Sequence, residues 1–136
     1  MKNKTIEFNS PLAIQVGKKK YILNLNNYRN WHYRVSNFIK INYKKFMREQ
    51  IVKIKKQLQK IEITYTVFRK DKRRFDIGNV CSVHQKFFED AIVEYGLIPD
   101  DKASCIVATH FLYGGVDKDN SCVKIKIKEL DDEWYM

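Results

Sequence analysis

Residues 61–68 alternate without a break. Ile61, Ile63, Tyr65 and Val67 fall on one side of an extended chain, and Glu62, Thr64 and Thr66 fall on the other. A period of two over the seven residues from Ile61 to Val67 specifies a half-buried strand. The residues on its C-terminal side narrow the fold further. Arg69 to Arg74 is too charged for a core and reads as a loop. A helix is then expected from about Asn79 to Tyr95, where Val80, Val83, Phe87 and Ala91 mark an apolar course. Gly96 stands at its C-cap position, and Pro99 prevents continuation. Two further strands are expected, roughly Ser104–Tyr113 and Ser121–Glu129, joined by the turn-rich stretch Gly114 to Asn120.

The first third adds strand-rich segments around Thr5–Phe8, Leu12–Val16 and Tyr21–Leu23, with a turn at Gly17-Lys18-Lys19. The asparagine-rich stretch from Asn24 to Arg34 reads as a loop leading into a helix. From about Ser36 to Gln59 the spacing turns helical, with Met47, Ile51, Ile54 and Leu58 on one face. These elements predict one α+β domain over residues 1–136, a mixed sheet with two main helices. In the last strand Val123, Ile125 and Ile127 are expected inward. The row Lys124, Lys126 and Lys128 then either protects an edge strand or contacts DNA.

Charge divides the chain. Residues 1–74 carry 20 Lys/Arg against 4 Asp/Glu, whereas residues 75–136 carry 6 against 12. A basic first half implies a polyanionic partner, with nucleic acid ahead of an anionic membrane. On the Ser36–Gln59 helix, Lys40, Lys44, Lys45, Arg48, Lys53, Lys55 and Lys56 share the outer face with a single acid, Glu49. That face and the Arg69–Arg74 loop are the expected phosphate contacts.

No stretch approaches the length of a membrane span. No apolar run stands behind Met1-Lys2-Asn3-Lys4, so no signal peptide is read and a cytoplasmic location is expected. Cys81, Cys105 and Cys122 are odd in number and widely spaced, which predicts reduced, mostly buried thiols. His32, His84 and His110 lack metal-ligand spacing.

Two acidic groups flank the second helix, Asp76 before it and Asp100-Asp101 after it; Lys86 and Asp90 share one of its faces at i and i+4. Magnesium takes hard oxygen ligands and keeps several waters, so one to three carboxylates suffice to hold it. Such an ion activates water against a phosphodiester, and a nearby lysine steadies the developing charge. An aspartate at a helix start is also a common cap, so spacing alone leaves both roles open for Asp76.

The order of motifs resembles the RusA-type Holliday junction resolvases, particularly phage and prophage forms. The resemblance begins at Leu25-Asn26-Asn27-Tyr28-Arg29-Asn30-Trp31-His32 and continues through Arg73-Arg74-x-Asp76-x-x-Asn79 and Lys86-Phe87-Phe88-x-Asp90-Ala91. It ends at Gly96-x-x-x-Asp100-Asp101. It implies a homodimer that cuts four-way junctions with magnesium, manganese being a possible substitute. Asp76 and Asp101, the latter with Asp100 beside it, then correspond to metal-binding aspartates. Lys86 corresponds to the catalytic lysine, and Asp90 to the aspartate one turn on. Asn27, Arg29, Lys72, Arg73, Arg74 and Asn79, with Lys44 and Lys45 of the basic helix, are the expected DNA contacts.

The chain departs from the family pattern at two positions. Well-known members read Asp-x-Asp-Asn where this chain reads Asp76-Ile77-Gly78-Asn79, and Gln85 stands where phage forms carry an aspartate. Asp90 then completes the metal shell, or Asp76, Asp101 and waters hold the ion alone. The competing expectations are a non-catalytic protein that binds junctions on the same fold and a basic RNA-associated protein.

Overall fold

A computed structural model describes residues 5–131. Residues 1–4 and 132–136 lie outside the described residues, and with them all but the first residue of the acidic, aromatic stretch 131–136, which the sequence reads as a frayed tail or a dimer contact. The chain order is β1 (Thr5–Ser10), β2 (Ala13–Val16), β3 (Lys19–Ile22), α1 (Leu25–Asn30) and α2 (Tyr33–Val52). It continues through β4 (Ile61–Arg69), α3 (Ile77–Glu94), β5 (Ile106–Val116) and β6 (Cys122–Glu129). Strands β1, β6, β4 and β5 form one mixed sheet in that spatial order, with β4 and β5 parallel and the other neighbours antiparallel. Strands β2 and β3 make a separate hairpin. The expected α+β domain with a mixed sheet is the one found.

The alternation of β4 does what its period requires. Ile61, Ile63, Tyr65 and Val67 are fully buried, and the residues between them are half-covered. Beside them on the same face lie Ile125 and Ile127 of β6 and Phe8 of β1. Ile39, Tyr43, Met47 and Ile51 of α2, with Val80, Val83, Phe87 and Phe88 of α3, complete this core. Each such side chain contributes about 1.5–3 kcal/mol of burial relative to exposure.

A parallel β4–β5 pair needs a crossover, and α3 supplies it. That connection sets the direction of α3. Its N-terminus lies where β4 ends at Arg69, and its C-terminus lies where β5 begins at Ile106.

Four expectations change. Residues 25–30 form a helix, because Asn24 caps it by accepting the Asn27 N–H at 2.8 Å. Helix α2 starts at Tyr33 and stops at Val52 rather than near Gln59. Beyond that point the Leu58 N–H donates to Leu97 O and the Gln57 side chain donates to Gly96 O, so tertiary partners replace the helical ones. Strand β5 runs on to Val116. Finally, β6 is central, so its lysine row protects no edge. Lys126 lies beside Glu7 and Lys128 beside Glu62, where opposite charges face each other across strands.

Candidate nucleic-acid interface

A cleft of about 1180 Å³ opens at the N-terminal end of α3. Its walls come from β3 and α1, from the loop after β4, and from the first turns of α3. Lys20, Arg29, Arg69, Lys70, Arg73 and Arg74 line it, opposed among the described residues by two acids, Asp71 and Asp76. Sequence segments 40 residues apart thus deliver their cations to one hollow.

Local bonds hold these walls together. The Asn26 N–H donates to Asn79 Oδ1 at 3.3 Å, which ties α1 to the first turn of α3. Asn27 donates through its side chain to Ile22 O at 3.0 Å, which ties α1 to β3. Asp71 Oδ1 accepts the Arg73 N–H at 3.0 Å and fixes the basic loop. Asp76 is the N-cap of α3, and its Oδ1 accepts the Gly78 N–H at 3.0 Å. The side chain is nonetheless exposed within the cleft. A helix N-terminus carries partial positive charge, so the cleft floor favours an anion in the same direction as its six cations.

The cleft gathers Arg29, Arg73, Arg74, Asp76 and Asn79 from the sequence-predicted residues. Asn27 sits behind its wall in a structural role. Lys72 is exposed on the basic loop. The α2 lysines stand apart from the cleft lining. Lys44 Nζ is 2.7 Å from Glu94 and Lys40 Nζ is 3.2 Å from Asp90, so part of the basic face of α2 is matched to acids of α3. Lys45 remains exposed.

The four aspartates do not form one centre within a chain. Asp100 and Asp101 lie past the far end of α3, and Asp90 faces α2 through Lys40. Lys86 is exposed midway along α3, with Nζ 5.9 Å from the ring centre of Tyr28. Among the described residues, no three or more His, Cys, Asp or Glu side chains come together in a group able to hold a metal ion. Asp76 stands at the start of α3, and Asp90 and Asp101 stand toward its other end, where both charges act on Glu89.

Sequence reasoning missed Lys20, whose hairpin position gave only a turn signal, and Glu89. One carboxylate oxygen of Glu89 is buried without a hydrogen-bond partner. Burial, then the Asp101 and Asp90 charges, raise its pKa, while the Gln85 side chain and Lys86 draw it down. Its neighbour in sequence, Phe88, is the one signal that position 89 borders the core.

Trp31 and Tyr28 pack against each other, with Tyr21 beside Trp31 and Phe87 beside Tyr28. The three cysteines are free, Cys81 and Cys105 buried and Cys122 half-buried. Among the described residues no helix is long and apolar enough to cross a membrane. No protein-family model matches the chain, and no curated protein matches it.

Proposed function

We propose that this protein is an endonuclease acting on branched DNA, as a homodimer that grips the phosphate backbone in the cleft beside the start of α3. The convergence of Lys20, Arg29, Arg69, Lys70, Arg73 and Arg74 on that cleft carries the reading. Cations from three segments match a continuous anionic backbone better than a single small anion. Nuclease chemistry is supported by Asp76, an exposed carboxylate among these cations, and by the motif order shared with RusA-type resolvases. Branched substrate, magnesium dependence and dimerisation rest on that resemblance. A dimer suits a substrate of matching two-fold symmetry.

One observation favours a second reading, junction binding without cleavage. Asp76 and Asp101 lie at opposite ends of α3, and Gly78 supplies no second carboxylate near Asp76.

Both readings are separated by incubating the chain with a labelled four-way junction and a linear duplex, with magnesium or manganese. Symmetric junction nicks that disappear in Asp76→Asn and Asp101→Asn, with binding retained, support the nuclease. Salt-sensitive junction binding without nicks supports the second reading. No affinity for either DNA removes both.

A further inference from the structure

Three residues apart on a regular strand, Tyr113 and Val116 should point to opposite faces of the sheet. In β5 they share one face. Val67 pairs with Tyr113, but Phe68 pairs with Gly115, so Gly114 is an extra residue and the alternation slips by one. Glycine is needed here. A Cβ at position 114 meets the Phe68 ring at 2.6 Å and Thr66 Cγ2 at 2.8 Å, and Gly115 has a φ of +105°.

The slip places Tyr113, Val116 and their neighbour Arg69 on the helix side of the sheet, beyond the start of α3. Tyr113 is 48% exposed there and Val116 46% exposed. Tyr113 is not loose. Its ring meets Phe75 edge to face at 5.4 Å. Phe75 is held in turn by the Arg69 guanidinium, 4.3 Å from its ring centre. Phe75 and Arg69 both line the basic cleft, so the open ring of Tyr113 stands at its margin.

We propose that Tyr113 is a stacking platform for an unpaired base of DNA whose phosphates lie in the cleft. The inference rests on the DNA-binding reading above and adds the residue that separates branched or single-stranded DNA from intact duplex. A held aromatic ring beside a row of cations is the combination that single-stranded nucleic acid recognises, because every base offers a face to stack. Paired bases are stacked on each other and leave Tyr113 without a partner. Phosphate contacts are common to both forms of DNA.

The full chain is titrated against a fluorescent four-way junction carrying unpaired adenines at its branch, and against a blunt duplex, over a salt series. Tyr113→Leu keeps apolar cover on Phe75 without an aromatic face; Tyr113→Phe keeps the face without the hydroxyl. Tyr113→Leu should lose about 5- to 150-fold in junction affinity, the equivalent of about 1–3 kcal/mol of stacking. Its duplex affinity and salt slope should stay as in the wild type, and Tyr113→Phe should bind as the wild type does. Equal loss on junction and duplex, or no loss on either, overturns the platform while leaving the cleft reading intact. A wild-type chain that binds neither DNA overturns the cleft reading and the platform together.

Discussion

Asp76 caps the first turn of α3 and Asp101 lies past its last, with 18 helical residues between the two. At 1.5 Å per residue that is about 27 Å of helix. The loop after α3 brings the Asp101 charge to bear on Glu89, in the C-terminal half of the helix, while Asp76 stands at its start. Under the nuclease reading, a homodimer offers a site that draws the two from different copies.

Mixing two inactive variants tests this directly. In a heterodimer of Asp76→Asn and Asp101→Asn chains, one shared site carries both substitutions and the other carries neither. The mixture should regain nicking on a single strand of the junction, although each variant alone is inert. A mixture as inert as its parts means that the two aspartates do not act together across copies.

The capping role of Asp76 must be kept apart from any chemical one. Asparagine also caps, so Asp76→Asn should leave stability within about 0.5 kcal/mol of the wild type, whereas Asp76→Ala should cost about 1 kcal/mol. Urea unfolding of both variants checks the difference. Loss of nicking in Asp76→Asn at unchanged stability then belongs to the carboxylate charge.

What the sequence disclosed and what it hid divide along local and non-local lines. The period of β4 and the Gly96–Pro99 stop after α3 are local facts, and both reappear in the structure. Asn24 misled because asparagine serves turns and helix caps equally well, and only the Asn27 N–H decides between them. The central place of β6 depends on pairing with β1, more than 100 residues earlier, which no window detects. The cleft was half legible. Its cations were visible as a basic first half, but the gathering of Lys20 and Arg74 into one cleft needed β3 and α1 to meet the loop after β4. The spacing of Asp76 and Asp101 was visible too, while the direction of the crossover that parts them was not.

Cleft and helix cations should differ in their salt signatures. Each lysine or arginine that neutralises a phosphate adds about 0.9 to the slope of log affinity against log salt on duplex DNA. Arg73→Ala and Arg74→Ala should each lower the slope by about that amount. Lys44→Ala should leave it unchanged, because Lys44 is matched to Glu94 away from the cleft. Equal slopes for all three variants would move the DNA path from the cleft to α2.

The glycine bulge in β5 makes a stability prediction that is independent of DNA. Gly114→Ala places a methyl group against the Phe68 ring and Thr66. Displacing them should cost about 1–3 kcal/mol, read as a lower urea midpoint at unchanged slope. A variant as stable as the wild type means that the ring moves aside freely and that the bulge is not fixed by this contact.

A buried polar chain under α3 makes stability depend on pH. Ser10 Oγ lies 2.6 Å from Tyr43 Oη and 2.6 Å from His84 Nδ1, and all three side chains are enclosed. His84 Nε2 has no hydrogen-bond partner, so a proton placed there has nothing to compensate it. Burial lowers the His84 pKa to about 3, against about 6.5 for an exposed histidine. The unfolded chain then binds a proton below pH 6.5 that the folded chain refuses. Stability from this residue is complete above that pH and falls as pH drops from about 6.5 toward 3, by up to about 1.4 kcal/mol per unit. Urea midpoints measured from neutral to mildly acidic pH should decline more steeply for the wild type than for His84→Gln, which does not titrate. Parallel curves would mean that the folded state takes up the proton at His84 as readily as the unfolded one.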